Sequence, residues 1–302
     1  MDNAVFSYDK YIEIVKNDKF NVKAQKYKKQ YIPEKLYKYL SLNRTKARSK
    51  KMIENEKIWA SQIKVLNDPF EFNMFYANLD EANRKYFYKD VLDRNEVVSL
   101  SDSCFNKLMW AHYGDSHRGI CLEYKVLNSH FIYPVNYVKY RTNITTEVNQ
   151  LIKRTSYWVN NGFVIDKSED KALIEKINLL MISKGSEWKY ENEYRVVTRN
   201  HEDIKNNHFD SYKEENGSLH KTFDLGIEIS KIILGYKYPE NDKKFIKQIV
   251  KKINENRIHE EMKTYGLKKN KAIEILKEEE RIVTINEIDA DDSLNLKIKE
   301  KG

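Results

Sequence analysis

Apolar and polar residues alternate strictly along residues 97–101 of the chain. Val98 and Leu100 fall on one face of this segment, and Ser99 and Ser101 fall on the other. A period of two is typical of a β-strand, in which successive side chains point to opposite faces of the sheet. The pattern therefore predicts a strand with one apolar face and one face that carries two hydroxyl groups.

A helical spacing replaces this alternation at residues 105–113 and predicts a short helix. Asp102 or Ser103 can cap its start, because either side-chain oxygen can accept a hydrogen bond from a free amide of the first turn. Gly114 is placed to end the helix. Alternation returns at residues 120–124, which predicts a second strand. The rest of the chain is organised around this strand, helix, strand unit.

Residues 187–197 alternate again and predict a strand with a charged face. The apolar face carries Trp188, Tyr190, Tyr194 and Val196, and the charged face carries Glu187, Lys189, Glu191, Glu193 and Arg195. Glu191 and Glu193 would project about 7 Å apart, with Arg195 in a position to orient Glu193. Two carboxylates this close can differ in pKa, so that one remains an anion that stabilises a cation or accepts a proton. The alternative is an exposed strand on which opposite charges are solvated.

The remaining pattern mixes helices and strands without an internal repeat or a flexible linker. It predicts helices near residues 8–15, 43–55, 79–95, 245–253 and 272–280 with two more within 144–184, and strands near 36–40, 57–61, 135–140 and 281–288. We expect an α+β fold, a single mixed domain, with an N-terminal helical segment at 1–32, a core at 33–236 and a C-terminal helical extension with a final strand at 237–302. The last dozen residues are charged and are expected to fray.

The composition limits the class of protein and its partners. Charged residues make up 33% of the 302 residues, and no stretch approaches the roughly 18 to 20 consecutive apolar residues of a membrane helix. The first residues include acidic side chains and no continuous apolar segment, so we expect no secretory signal, no membrane partner and a cytoplasmic location. The net charge of +8 favours an acidic partner such as nucleic acid. The alternative is that many of the lysines only solvate the surface.

Metal chemistry is not expected. The chain has two cysteines, Cys104 and Cys121, which cannot make a four-ligand zinc site alone. Their spacing with His112 and His117 departs from the usual paired C-x-x-C pattern.

Three residues of the short helix have two possible roles each. His112 lies on the apolar stripe, which is typical of a buried, hydrogen-bonded histidine but also allows a general base or a substrate contact. Trp110 and Tyr113 could stack on a planar ring such as a base or nicotinamide, or could belong to the core. The chain has only 9 glycines and no glycine-rich phosphate loop, so bound phosphates would be held by Arg and Lys side chains or by helix amides.

Taken in order, several motifs resemble a widespread bacterial family of unknown function. They are Leu36-Tyr37-Lys38-Tyr39, Leu66-Asn67-Asp68-Pro69-Phe70-Glu71, Ser99-Leu100-Ser101 running into Met109-Trp110-Ala111-His112-Tyr113, Arg118-Gly119-Ile120-Cys121-Leu122-Glu123, and Trp188-x-x-Glu191-x-Glu193-x-Arg195. The resemblance covers residues 33–236 and by itself implies little chemistry.

A more distant resemblance is to ADP-ribosyltransferases of the arginine-serine-glutamate type. Those enzymes use a basic residue on an early strand, a serine-x-serine-like strand and a late Glu-x-Glu strand, in that order, and this chain offers Lys38, Ser99-x-Ser101 and Glu191-x-Glu193. The resemblance implies a split β-sheet core, with Glu193 stabilising the ribosyl oxocarbenium ion as nicotinamide leaves and Glu191 on the acceptor side. Ser99 or Ser101 would contact nicotinamide, and Lys38, in place of the early arginine, would contact phosphate or ribose.

The resemblance also implies NAD as the substrate, without a metal. The expected NAD-binding set is Lys38, Tyr39, Ser99, Ser101, Trp110, His112, Tyr113, Arg118 and Arg195. The expected activity is ADP-ribosyl transfer to a nucleic acid or protein, in a bacterial toxin or anti-phage defence effector with an antitoxin or immunity partner. NAD hydrolysis, with water as the acceptor, is a related possibility. The alternative from another class is a nucleic-acid- or nucleotide-binding effector without catalysis.

Overall fold

The computed structural model describes residues 5–42, 46–66, 68, 75–87, 95–160, 168–199, 213–214 and 217–299. These residues form a mixed α+β structure. The predicted fold class is confirmed at this level.

Helices and strands are interspersed along the described residues. The helices are α1 (Tyr8–Lys16), α2 (Val22–Lys29), α3 (Lys46–Glu54), α4 (Glu81–Tyr86), α5 (Lys107–His112), α6 (Thr145–Asn160), α7 (Ser168–Ile182), α8 (Lys243–Tyr265) and α9 (Lys269–Glu278). The strands are β1 (Lys35–Leu40), β2 (Lys57–Gln62), β3 (Phe75–Tyr76), β4 (Asn95–Ser101), β5 (Ile120–Val126), β6 (Ile132–Pro134), β7 (Asn136–Val138), β8 (Thr142–Asn143), β9 (Ser183–Gly185), β10 (Glu193–Arg199), β11 (Lys213–Glu214), β12 (Gly217–Lys221), β13 (Ile227–Leu234), β14 (Thr284–Ala290) and β15 (Leu296–Ile298). Short 3₁₀ helices lie at Ile63–Val65, Ser186–Glu191, Phe223–Leu225 and Glu240–Asp242.

The chain divides into two compact units, each built from three separate segments. The first unit contains Met1–Pro33, Trp59–Ser99 and Ser129–Leu219, and the second contains Glu34–Ile58, Leu100–Asn128 and His220–Gly302. The segment borders predicted near residues 32 and 236 stay predictions.

In the first unit, β10 is the strand on which the candidate site depends. It pairs antiparallel with β6, where Arg195 lies opposite Tyr133, and it also pairs with β4. A neighbouring pair of strands, β7 and β9, runs parallel, with Tyr137 opposite Lys184. The apolar side chains of α1, α2 and α7 form the adjoining core; its buried members include Tyr11, Ile12, Val15, Ala24, Ala172, Met181 and Ile182.

The packing of α1 follows directly from its sequence. Ser7 caps the helix by accepting a hydrogen bond from the amide of Lys10, and the stripe of Tyr11, Ile12 and Val15 is buried. Burial of one such side chain stabilises the folded state by about 1.5 to 3 kcal/mol. The helix predicted from this stripe is therefore confirmed.

In the second unit, β5 is the central strand. It pairs antiparallel with β1 on one side and with β13 on the other, and β13 pairs parallel with β14. Ile120 to Tyr124 are buried without interruption, because both faces of β5 are covered. The two strands predicted to flank the short helix are confirmed as β4 and β5.

Two details of the predicted elements are wrong. The short helix is capped by Asn106, whose side-chain oxygen accepts hydrogen bonds from the amides of Leu108 and Met109, rather than by Asp102 or Ser103. The last dozen residues do not fray over their described part, because β15 pairs with β14. Most of the Leu66-Asn67-Asp68-Pro69-Phe70-Glu71 motif lies outside the described residues.

Candidate active site

The carboxylates of Glu191 and Glu193 both contact Lys184 in the first unit, although the two glutamates do not share a strand. Ser186–Glu191 forms a 3₁₀ helix, Asn192 adopts the left-handed conformation with φ 42°, and β10 begins only at Glu193. Asparagine tolerates this conformation better than most residues. The continuous strand predicted at 187–197 is therefore wrong in its first half, because the turn at Asn192 interrupts it.

Lys184 connects the two carboxylates. Its Nζ lies 2.6 Å from Oε2 of Glu191 and 3.1 Å from Oε2 of Glu193. Lys184 stands in β9, which directly follows α7, and the backbone pairing with β7 fixes its position. The ammonium also lies 5.0 Å from the centre of the Trp188 ring.

Arg195 holds Glu193 from the other side. Its Nε donates to Oε1 of Glu193 at 2.8 Å and its Nη2 donates to Oε2 at 3.2 Å. Its Nη1 donates to the carbonyl oxygen of Met181 at 2.7 Å, which anchors the guanidinium at the end of α7. Such two-point contacts between guanidinium and carboxylate fix geometry as well as charge.

Ser99 and Tyr137 complete the surroundings of Glu193. The Ser99 hydroxyl donates a hydrogen bond to the Glu193 carboxylate. The backbone amide of Glu193 donates to the Tyr137 hydroxyl oxygen at 2.8 Å. The structure thus brings Ser99, Glu191, Glu193 and Arg195 into one cluster.

These charges keep Glu193 ionised. Burial acts to raise the pKa of Glu193, but the charges of Arg195 and Lys184, together with hydrogen bonds from Arg195 and Ser99, lower it to about 2. Burial raises the pKa of the neighbouring Tyr137 hydroxyl, so that group stays neutral. Glu193 is therefore an anion throughout the neutral range.

The alternative of a solvated charged face is wrong for three of the five residues predicted on that face, whereas the other two are exposed. Glu191, Glu193 and Arg195 are only 3%, 4% and 1% exposed, whereas Trp188 and Tyr190, predicted for the apolar face, are half-buried. A buried charge is costly unless it is paired. Lys184 supplies the pairing that the sequence pattern does not reveal.

Sequence reasoning missed Lys184 and Tyr137. Lys184 lies between the apolar end of α7 and the charged 187–197 segment, in a strand of only three residues. So short an element has no readable period. A lysine two positions after Ile182, where the apolar residues of α7 end, is the one signal that could have drawn attention to it.

Other predicted site residues lie in the second unit, where Trp110 is a core residue. It is 0% exposed, its Nε1 donates to the carbonyl oxygen of Cys104 at 2.7 Å, and its ring meets Tyr39 edge to face at 5.0 Å. Tyr39 is also buried, and its hydroxyl donates to the carbonyl oxygen of Ser103 at 2.7 Å. Of the two roles considered for Trp110, the structural one applies.

The remaining predicted residues differ in accessibility. His112 is exposed rather than buried, because it stands at the solvent side of the last turn of α5. Tyr113 and Lys38 are half-buried, and Ser101 is buried in β4 opposite Tyr37. Arg118 is exposed and pairs with Asp115 at 3.5 Å. Their roles in ligand binding stay predictions.

Metal ligation and membrane crossing can be judged for the described part of the chain only. Within it, no three His, Cys, Asp or Glu side chains come together in a way that could hold a metal ion. Within the same residues, every helix is too short or too polar to cross a membrane.

Comparisons with known proteins indicate which protein family a part of the chain resembles. Neither the curated proteins nor the solved structures include a match to the chain. A family model does match residues 109–196, a segment that contains most of α5, all of β5 and the cluster of Glu191, Glu193 and Arg195. This match is consistent with the predicted resemblance to a family of unknown function. Residues 109–196 are thus similar to the family described as Protein of unknown function (DUF2971).

Proposed function

We propose that the protein cleaves NAD and transfers ADP-ribose to a macromolecule, with Glu193 as the reactive carboxylate in an ADP-ribosyltransferase-like core. One observation carries this proposal. Glu193 is held as an anion by Arg195 and Ser99 with the carboxylate of Glu191 beside it, joined through Lys184.

The negative charge of Glu193 can assist cleavage of the bond between nicotinamide and ribose. When the bond between nicotinamide and ribose breaks, its electron pair leaves with nicotinamide and positive charge develops on the ribosyl carbon. A fixed carboxylate stabilises that charge electrostatically, and a preorganised one costs no reorganisation at the moment of reaction. Ser99 and Arg195 supply this preorganisation.

Glu191 suits the acceptor side of the same reaction. A second carboxylate next to the first can accept the proton of an attacking hydroxyl or amine while Glu193 remains ionised. With water as the acceptor, the same arrangement would hydrolyse NAD. The net charge of +8 favours a nucleic acid over a protein as the macromolecular acceptor. NAD is proposed as a substrate that needs no metal.

The biological setting proposed for this activity is bacterial conflict. The protein would act as a toxin or an anti-phage defence effector, held in check by an antitoxin or immunity partner. These roles rest on the resemblance to ADP-ribosyltransferases and follow only if NAD is cleaved.

The test is nicotinamide release from NAD by the purified protein, with bacterial RNA, DNA and lysate offered as acceptors. We expect Glu193→Gln to lower the rate about a hundredfold or more, as loss of a main electrostatic group does. Glu187→Gln is the matched control, because Glu187 is an exposed glutamate on the 3₁₀ helix that ends at Glu191. It should retain the wild-type rate.

The outcomes separate the proposals. Label transfer from NAD to an acceptor would support a transferase, and release without transfer would support a hydrolase. Circular dichroism must show that Glu193→Gln is folded; if it is not, Glu191→Gln, which should selectively reduce transfer, takes its place. No release by the wild type with any acceptor would overturn the enzymatic proposal in favour of a binding effector without catalysis.

A further inference from the structure

We infer that Lys184 is a positioning residue of this site, whose ammonium holds the carboxylates of Glu191 and Glu193 side by side. This inference rests on the proposed function and adds a residue to it. The electrostatic coupling between Lys184 and Glu193, on which the inference depends, can be measured whether or not NAD is cleaved.

The contacts of Lys184 join both carboxylates at one point. Its Nζ is within 3.1 Å of an oxygen of each glutamate, and the side chain is itself buried. Removal of an ammonium from water is expensive and is offset only by close pairing. The position is therefore unfavourable for a lysine that lacks these two close contacts.

The backbone fixes Lys184 relative to Glu193 by a second route. Lys184 in β9 lies opposite Tyr137 in β7, and the Tyr137 hydroxyl accepts the backbone N–H of Glu193. Glu193 is thus held through its backbone by one member of this strand pair and through its side chain by the other. The Trp188 ring, 5.0 Å from the ammonium, covers a further side of Lys184.

Without Lys184 the same cluster would contain two buried carboxylates and one described guanidinium. Two carboxylates that share a buried site repel each other, and this repulsion raises the pKa of one of them. The other described titratable groups around the ammonium are Tyr137 and Tyr190, whose pKa values burial raises, and Arg195 beyond Glu193. None of these three supplies a positive charge between Glu191 and Glu193. A protonated Glu193 could not stabilise the developing cation.

The experiment compares Lys184→Met, which removes the charge at similar length, with Lys184→Arg, which retains it. Nicotinamide release is measured against pH as kcat and KM. We expect Lys184→Met to lower kcat about tenfold or more at pH 7, with KM changed less than about threefold, and to move the acidic limb of the profile to higher pH. Lys184→Arg should restore the position of that limb. Lys189→Met, at an exposed lysine of the neighbouring 3₁₀ helix, is the matched control.

A purely structural lysine would behave differently. It would lower thermal stability when replaced but would leave the acidic limb where it is in the wild type, and that result would overturn the inference. Retention of the wild-type kcat by Lys184→Met would overturn it as well.

Thermal unfolding against pH is the second measurement and needs no activity. In Lys184→Met the pKa of Glu193 should rise, so the folded variant would bind more protons than the folded wild type near neutral pH. The stability of the variant relative to the wild type should therefore fall as pH rises from about 4 to 7. A difference in Tm that is independent of pH would overturn the coupling. If this difference depends on pH but the wild type releases no nicotinamide, the proposed function fails while the electrostatic role of Lys184 stands.

Discussion

Arg195 binds both carboxylate oxygens of Glu193 although the two residues are only two positions apart in β10, and both side chains are buried. Residues at i and i+2 of a strand lie on the same face. Here that face is turned inward, towards the carbonyl oxygen of Met181 and the ammonium of Lys184. The charged face of the strand therefore forms part of the interior of the first unit.

Replacement of Arg195 should destabilise the protein in proportion to the charge and geometry lost. Arg195→Met leaves Glu193 with less compensation in a buried position, and we expect it to lower the free energy of unfolding by about 3 kcal/mol. Arg195→Lys keeps the charge but loses the two-point contact, so the loss should be smaller. Urea unfolding measures both. An equal stability of Arg195→Met and wild type would contradict the pairing.

The depressed pKa of Glu193 predicts a defined dependence of stability on pH. The folded-state pKa of about 2 lies below the usual value for Glu, so the contribution to stability is present above about pH 4.3 and is lost as pH falls towards 2. The difference in free energy of unfolding between wild type and Glu193→Gln should therefore be largest near neutral pH and shrink below pH 4. Urea unfolding at a series of pH values tests this. If the difference in free energy of unfolding between wild type and Glu193→Gln grew as pH fell, the lowered pKa of Glu193 would be contradicted.

Trp110 should behave as a core residue of the second unit. Trp110→Ala removes a fully buried ring and its hydrogen bond to Cys104, and we expect a loss of about 3 to 5 kcal/mol in the free energy of unfolding. Trp110→Phe keeps an aromatic ring but not the donor, and should lose less. Tyr113→Ala, at a half-buried neighbour, is the comparison. If Trp110→Ala keeps wild-type stability but loses ligand binding, the ring has the stacking role instead.

Two glycines of the second unit should differ in their tolerance of alanine. A Cβ on Gly119 would lie 2.2 Å from the carbonyl oxygen of Leu40, which is backbone and cannot rotate away. We expect Gly119→Ala to cost about 3 kcal/mol. Gly266 ends α8 with φ 64° and a Cβ there would meet nothing within 4 Å, so Gly266→Ala should cost only the backbone preference, about 1 kcal/mol. Thermal or urea unfolding of the two variants should rank them in this order.

The sequence by itself determined the elements whose period is long enough to read. The alternation of Val98 and Leu100 with Ser99 and Ser101 predicts β4, and the stripe of α1 predicts that helix. These predictions succeed because a strand or helix that buries one face must repeat its apolar residues with the period of its backbone. The order of Ser99, Glu191, Glu193 and Arg195 also pointed to residues that the structure brings together.

Only the tertiary structure decided that the charged face of β10 is buried as well as the face that carries Val196, and how its charges are paired. Period-two alternation separates the two faces of a strand but does not show that a charged face is also covered. Glu193 is accommodated inside because Lys184, Ser99 and Arg195 reach it from different elements. Two of these partners are distant in sequence, so local spacing cannot reveal them. The break at Asn192 is also hidden from the sequence pattern, because one residue in the left-handed conformation leaves the alternation of polar and apolar residues unchanged.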